Sequence, residues 1–379
     1  MTSTHDDVLA LQNGDREGHA PLVSWRLATA FIALVAMAVI LFWVPAPFVV
    51  SSPGPTFNVL GSANGEPMIA IEGTDPTTGE EVQLDDAQSA SVTAKAQPGQ
   101  GQLRMVTVSE AGGPGNRLNF AQLVGAYFDP HAKIVDYESV YPAGTTQDKV
   151  SDAQSAMMRN SQTTSQVAAL EYLGWDVPAT VTIAGTTEGS NAEGIVQEGD
   201  ILLASTPFTL MRTVPAGSLM TVTVERDGVT QDLSFDSIAV SATEPGSKLG
   251  IYLTVDPSLP VDISFNLEGV GGPSAGMMFS LGIIDRLTPG DMTGGNAIAG
   301  TGTMSFDGQV GAIGGIQQKL WGAHDDGAQW FLAPAENCSE VVGHVPDGLN
   351  VVKVSNLSEA ATAVATIAEG NGATLPTCQ

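Results

Sequence analysis

Two glycine-rich blocks in the C-terminal half constrain the fold of this 379-residue chain most strongly. The first, GGPSAGMMFSLGIID, begins at Gly271, and the second, AGTGTMSFDGQVGAIGGIQQKLWGA, ends at Ala323. In the first block a glycine-containing turn leads into an apolar run, and in the second a glycine pair leads into a segment with Ile316 and Leu320 on one face, so each predicts a helix that starts just after the turn. The first turn brings Ser274 to a helix start, and the second puts Lys319 just inside one.

A serine and a lysine in these two positions can form a nucleophile and its base. Backbone N–H groups at a helix start lack partners, so the turn around Ser274 could hold an oxyanion. Apolar neighbours would desolvate Lys319, lower its pKa and let its amine accept the serine proton. The alternative is an ordinary N-cap serine and a solvated lysine. The turn residues that we assign to the oxyanion side are Gly272, Pro273, Ala275 and Gly276.

The paired blocks resemble the proteolytic domain of Lon-type proteases. GPSAG resembles that family's nucleophile motif, and GGI-x-x-K resembles its lysine block; the likeness covers roughly residues 245–370. It implies that Ser274 is the nucleophile, that Lys319 is its base and that the Thr301 hydroxyl orients the lysine. The chain departs from the pattern at Gly271, where ATP-dependent Lon enzymes often carry an acidic residue.

Other titratable groups give weaker signals. His324 and Asp325 suggest a histidine-based triad, but a charged helix end more often places such side chains in water. The five histidines are scattered and no C-x-x-C motif occurs, so we expect neither a metal nor a cofactor. Cys338 and Cys378 could form a disulfide outside the cytoplasm, and two free thiols are the alternative.

An apolar run from Leu27 to Val44, interrupted only by Thr29, follows a polar tail at residues 1–24. It is long enough to cross a bilayer, so we predict a transmembrane helix at 25–45. A cleaved signal peptide is the main alternative, although the tail is long and no clear A-x-A site follows. A buried helix of a soluble domain is a second alternative.

Charge gives the orientation of this span and excludes some partners. Arg16 and Arg26 precede the span, and the next basic residue is Lys95, which favours a cytoplasmic N-terminus and extracytoplasmic C-terminal domains. A formal net charge of −27 argues against nucleic acid as a partner. No lysine in the chain follows a glycine, so it contains no G-x-x-x-x-G-K-[ST] phosphate loop, and we expect ATP-independent action.

The middle of the chain divides into two regions. We predict that residues 51–174 form an extracytoplasmic region whose helices pack on the protease domain. The carboxylates of Glu138 and Asp152 in this region are expected to be solvated. Residues 175–242 resemble a PDZ domain through TVTIAGTTEGSNAEGIVQEGDILLAS and the hairpin TVTVERDGVTQDLSF. Only about fifteen residues, which include Pro207, separate these two blocks, so the groove helix is expected to be shortened.

We therefore predict an α/β (α+β) multidomain protein with one N-terminal transmembrane helix, a PDZ-like β-rich module and a Lon-type proteolytic domain with a mixed sheet at 245–379. The arrangement resembles the membrane-anchored PDZ–Lon proteins of Gram-positive bacteria. That resemblance implies an ATP-independent serine endopeptidase acting on extracytoplasmic proteins or peptides, and a homo-oligomer, by family likeness a hexamer. The alternative is a catalytically idle, membrane-tethered adaptor that binds partners through the PDZ-like module.

Overall fold

The computed structural model describes residues 22–82, 84, 91–96, 99–204, 213–240 and 246–378. The tail predicted at 1–24 lies outside these ranges up to residue 21, as does most of the shortened groove segment, which includes Pro207. The chain divides into two compact units. The first comprises residues 1–50 and 111–143, and the second comprises residues 51–110 and 144–379.

Helices occur in both units. In chain order they are α1 (Leu22–Trp43), α2 (Phe120–Tyr127), α3 (Tyr137–Val140), α4 (Gln147–Tyr172), α5 (Gly276–Leu287), α6 (Ile316–Asp325), α7 (Cys338–Val341) and α8 (Leu357–Ala368), with short 3-10 turns at Ala335–Asn337 and Gly372–Thr374.

The strands that accompany these helices vary from two to eleven residues. In chain order they are β1 (Phe48–Asn58), β2 (Ser62–Ala63), β3 (Glu66–Pro67), β4 (Ile69–Gly73), β5 (Gln102–Ala111), β6 (Lys133–Asp136), β7 (Ala179–Thr186), β8 (Ile201–Ala204), β9 (Leu219–Arg226), β10 (Val229–Asp236), β11 (Ile238–Ala239), β12 (Ser247–Lys248), β13 (Ile251–Pro257), β14 (Val261–Phe265), β15 (Ala297–Gly300), β16 (Thr303–Met304), β17 (Val310–Gly311), β18 (Trp330–Pro334) and β19 (Asn350–Val354).

The first unit is built around α1. From Trp25 to Trp43 no residue of this apolar helix is buried, and its length and composition suffice to cross a membrane. Just after it, the Ala46 N–H donates to the Leu118 carbonyl at 2.7 Å, which ties the end of α1 to the start of α2. Helix α2 begins with a capping box, in which Asn119 and Gln122 exchange side-chain and backbone hydrogen bonds. By length and apolarity α1 is a candidate membrane span.

The second unit contains the main sheet, in which five strands follow the order β19-β18-β15-β5-β1. Strand β15 pairs in parallel with both β5 and β18, and β18 pairs in parallel with β19. Both faces of this sheet are covered, as expected for parallel strands. Leu332 and Val352 pack in the same apolar core as α5 and α8, whereas their neighbours Phe331 and Val351 pack with α6.

The region predicted at 51–174 shares sheets with the region predicted at 245–379. Strand β5 lies directly beside β15, and β4 pairs antiparallel with β14. Helix α4 packs on α5, with Ser165 and Leu170 fully buried. The reason is that the short strand β15 has hydrogen-bonding groups on both edges, and β5 satisfies those on one of them.

A separate five-stranded sheet, β10-β9-β8-β7-β13, covers the region predicted as PDZ-like. Strands β9 and β10 form the predicted hairpin, whose two-residue turn has positive φ at Asp227 and Gly228, as a type I′ turn requires. Strand β13 pairs antiparallel with β7 along its whole length. The sheet thus includes Ile251–Pro257, which lies beyond the boundary at 242 that the sequence suggested.

Candidate active site

Ser274 lies in the turn that precedes α5. Gly272 has φ of +88°, a conformation that glycine adopts without strain, and Pro273 follows it. Ala275 is the N-cap, so Ser274 stands two residues before the first residue of the helix. The Gly302 N–H donates to the Ser274 carbonyl at 2.9 Å and ties the turn to the end of the central strand β15.

Helix α4 holds the same turn from the other side. Ser161 Oγ donates to the Pro273 carbonyl at 3.0 Å, and Ser165 Oγ donates to the Gly276 carbonyl at 2.9 Å. The sequence analysis did not identify these two serines. The signal is their i, i+4 spacing, which places both on one helix face.

Gln154 explains the departure from the family pattern at Gly271. A Cβ atom at position 271 would lie 2.6 Å from Gln154 Oε1 and 2.7 Å from its Cβ. The Gln154 carbonyl also accepts the Gly272 N–H at 3.1 Å. Helix α4 thus occupies the space that a side chain at position 271 would need.

Lys319 lies on α6, which starts immediately after Gly315. Gly315 has φ of +70°, and a Cβ atom there would lie 2.8 Å from Val108 Cγ2, so the position suits glycine alone. Lys319 is followed directly by Leu320 and lies three residues after Ile316, both of which are fully buried. Lys319 is itself only 3% exposed. This burial lowers the pKa of Lys319 to about 7, because the interior disfavours the ammonium form.

The side chains of Ser274, Thr301 and Lys319 meet at the carboxyl end of β15. Lys319 Nζ lies 2.7 Å from Ser274 Oγ and 2.9 Å from Thr301 Oγ1. The Thr301 hydroxyl donates to the Ser274 carbonyl at 3.0 Å, so its oxygen is left to accept an N–H from the lysine. Thr301 is fully buried and Ser274 is half-buried, so the hydroxyl of Ser274 is the accessible member of the group.

Two backbone N–H groups beside Ser274 are available to an oxyanion. No described residue accepts a hydrogen bond from the N–H of Ala275 or Gly276, as is normal for a helix start. The other two turn residues that the sequence suggested are not available: Pro273 has no N–H, and the Gly272 N–H already donates to the Gln154 carbonyl. The potential donors are therefore Ala275 and Gly276.

A cavity of about 500 Å³ lies along the segment that follows Thr301 in the sequence. Its wall includes the β16–β17 hairpin, which begins two residues after Thr301. Asp307 and Glu336 contribute carboxylates to the lining. The residues that line the cavity do not include Ser274, Thr301 or Lys319.

The remaining residues of the sequence analysis lie apart from this group. His324 and Asp325 contact each other at 3.0 Å at the exposed end of α6 and make no contact with Ser274, so the triad is not assembled. Cys338 and Cys378 are joined by a disulfide. Within the described ranges, no cluster of histidine, cysteine or acidic side chains could hold a metal ion.

Comparison with known proteins shows similarity to Lon proteases over this part of the chain. Residues 268–366, which include Ser274, Thr301 and Lys319, match the model of the Lon protease (S16) C-terminal proteolytic domain. The chain is 35% identical over 91 residues to Lon protease of Buchnera aphidicola (subsp. Schizaphis graminum), covering 23% of this chain and 12% of the relative. It is 33% identical over 103 residues to Lon protease 2 of Bacillus subtilis, covering 26% and 18%.

A longer match, 32% identical over 155 residues, is with Lon protease of Brucella suis and covers 38% of this chain and 18% of the relative. The chain thus spans less than a fifth of the length of each of these curated relatives. The matched segment contains the serine, the threonine and the lysine that meet at the end of β15. Residues 268–366 are similar to a Lon proteolytic domain, and the comparisons support a serine peptidase.

Proposed function

We propose that this protein is a serine–lysine endopeptidase that cleaves proteins or peptides. The observation that carries the proposal is the 2.7 Å distance between Ser274 Oγ and the amine of a lysine that is buried without a carboxylate partner among the described residues. A lysine with a pKa of about 7 is about half uncharged amine at neutral pH and largely uncharged above it. Such an amine can accept a proton from a serine hydroxyl.

The first half of the reaction forms an acyl-enzyme. Lys319 takes the Ser274 proton as Oγ attacks the peptide carbonyl carbon, and the N–H groups of Ala275 and Gly276 stabilise the oxyanion. The Lys319 ammonium then gives its proton to the amide nitrogen as the C–N bond breaks. The amine product leaves and an ester remains on Ser274.

The second half hydrolyses that ester. Lys319, neutral again, takes a proton from a water molecule as the water oxygen attacks the ester carbonyl. The ester C–O bond breaks, the carboxylic acid leaves and Ser274 Oγ recovers its proton from Lys319. The Thr301 oxygen accepts one amine hydrogen throughout and so directs the lone pair toward Ser274.

We further propose that α1 anchors the enzyme in a membrane with its C-terminal domains outside the cytoplasm. Arg16 and Arg26 precede the apolar run that begins at Leu27, and the next basic residue after it is Lys95, which supports this orientation. The Cys338–Cys378 disulfide fits an oxidising compartment. Catalysis as proposed needs no nucleotide, and we propose that it is ATP-independent.

We also propose that the five-stranded sheet of β7–β10 and β13 is a PDZ-like module and that the enzyme assembles as a homo-oligomer. The PDZ-like module would support a second function, in which the serine is idle and the protein is a tethered adaptor. The two functions differ in one measurable respect. Only the peptidase cleaves a substrate in a way that depends on Ser274.

The test measures cleavage of an unfolded protein without ATP by the full chain and by Ser274→Ala and Lys319→Ala. Ser264→Ala and Lys248→Ala serve as matched controls, because both residues are exposed and lie outside the site. We expect both site variants to lose on the order of 10³-fold or more in kcat. Equal cleavage by all five proteins would refute the dyad, and no cleavage by any of them would favour the adaptor.

A further inference from the structure

An exposed apolar face lies on α2, close to the end of α1. Val124, Tyr127 and Phe128 follow the i, i+3, i+4 spacing that places side chains on one side of a helix. Tyr127 is 76% exposed and Phe128 77% exposed, and their rings contact each other edge to face. The eight residues of α2, FAQLVGAY, include no charged residue, and none of them is buried.

The position of this face is fixed relative to the candidate span. Pro45, two residues after the end of α1, forms a β-bridge with Asn119, the N-cap of α2. Ala46 adds its hydrogen bond to Leu118, and α1 and α2 contact each other. All of these residues belong to the first unit. Helix α2 therefore begins where α1 ends, at the level at which a span leaves the hydrocarbon core.

We infer that the face formed by Val124, Tyr127 and Phe128 lies in the interfacial layer of the membrane that α1 crosses. The inference rests on the proposed membrane anchoring. Tyrosine combines an apolar ring with a polar hydroxyl and is enriched at this depth of a bilayer. A short uncharged helix with an aromatic side can bury that side among lipid headgroups while its polar edge remains in water. The capping box supplies partners for the first N–H groups of the helix.

This second contact has a mechanical consequence. A single helix in a bilayer leaves the attached unit free to rotate about the axis of that helix. A second, apolar contact beside it removes much of this freedom. The first unit would then present one constant side to the membrane.

Labelling at a single cysteine tests the inference in the full chain. The two native cysteines form a disulfide, so an added cysteine is the only free thiol. Phe128→Cys carries an environment-sensitive fluorophore into the proposed contact. Gly125→Cys is the matched control, because this exposed position is on another side of the same helix and a Cβ atom there meets open space.

Both labelled proteins are reconstituted into phosphatidylcholine–phosphatidylglycerol vesicles that contain a lipid with a nitroxide near the headgroup. We expect the lipid nitroxide to quench the label at position 128 at least about threefold more strongly than the label at position 125. Equal quenching of the two labels in protein that floats with the vesicles would overturn the inference and leave the anchor intact. Protein that fails to float with the vesicles after a carbonate wash would overturn both the interfacial contact and the membrane anchor.

A second copy of the chain is the other occupant that could cover this face. In that case the label at position 128 would be shielded from water but not quenched by the lipid nitroxide. The triple variant V124S/Y127S/F128S would then have a lower mass than wild type by light scattering in detergent. That pair of results would replace the membrane contact with a protein interface. Unchanged mass together with lipid quenching supports the membrane contact.

Discussion

Two buried basic side chains lie near opposite ends of helix α6, Lys319 on the helix itself and Arg104 on β5, and they are stabilised in different ways. Near its start, Lys319 is buried with hydroxyl neighbours and no carboxylate partner within the described ranges. At its C-cap, Asp326 is ion-paired with Arg104, which is fully buried. Arg104 also donates to Thr56 Oγ1 at 2.7 Å and to Gln102 Oε1 at 2.8 Å.

The difference shows that the partners of a buried basic side chain decide whether it stabilises the fold or can exchange a proton. Burial lowers the pKa of Arg104 while the Asp326 carboxylate opposes the change, and a guanidinium remains charged in either case. The Lys319 amine has no such opposing charge, so burial alone lowers its pKa into the range where it gains and loses a proton. We therefore assign Arg104 to stability and propose Lys319 for chemistry.

The largest effect on activity is expected when the Lys319 amine is removed. Lys319→Met keeps an unbranched side chain of similar length but removes the amine, so kcat should fall by roughly 10³-fold or more. Stability should be unchanged or higher, because a buried amine without a charge partner is replaced by an apolar group. Cleavage assays and denaturant unfolding of the same preparation check both parts. Large destabilisation of this variant would contradict the comparison.

The opposite result is expected at the arginine. Arg104→Met leaves the partly exposed Asp326 without its ion-pair partner, and the free energy of unfolding should fall by about 3 kcal/mol. The kcat of the protein that remains folded should stay within a few-fold of wild type, since the hydrogen bonds and ion pair of Arg104 go to Thr56, Gln102 and Asp326 and to none of the site residues. Urea unfolding followed by far-UV circular dichroism measures the first quantity. A change below about 0.5 kcal/mol would show that the ion pair is not structural.

Thr301 allows a finer test of the comparison. Within the described residues, its oxygen is the only hydrogen-bond partner of the Lys319 amine besides Ser274 Oγ. Thr301→Val preserves the shape but removes the acceptor, and we expect kcat to fall roughly 10- to 100-fold. The ammonium form also loses an acceptor, so the pKa of Lys319 should fall further and the rise of activity with pH should move to lower pH. Thr301→Ser should restore both. A lower kcat with an unmoved pH profile would indicate a merely structural role.

The pH dependence follows from the lowered pKa of Lys319. Below about pH 7 the fraction of neutral amine falls, so kcat/KM should decrease about tenfold per pH unit on the acid side. The pKa in the unfolded chain is higher than in the fold, so between the two values the unfolded chain binds more protons. Raising the pH from about 7 to about 10 should therefore stabilise wild type relative to Lys319→Met. Identical pH dependence of stability in the two proteins would argue against a neutral lysine.

Much of the site could be predicted from the sequence because its signals are local. The Gly-Pro-Ser-Ala-Gly turn and the apolar run after it indicated the start of α5, and the glycine pair before Lys319 indicated the start of α6. The Asp227-Gly228 turn indicated the β9–β10 hairpin in the same way. Each of these signals depends on residues within a few positions of one another.

The contributions of distant segments could not be predicted in this way. Ser165 and the Gly276 carbonyl to which it donates are 111 residues apart in the sequence. The position of β5 beside β15 and the space that Gln154 occupies near Gly271 also depend on long-range contacts. Periodicity indicates that a strand or a helix face is buried, but it does not identify its neighbour.

A direct titration of Lys319 tests the central claim of a neutral, buried amine. The chain has only six lysines, so labelling them with ¹³C at Cε gives a short set of NMR signals, and Lys319→Met identifies the one that belongs to Lys319. We predict that this signal titrates near pH 7, well below the value of about 10 that is usual for a lysine side chain. A Lys319 signal that titrates above pH 10 would contradict the account.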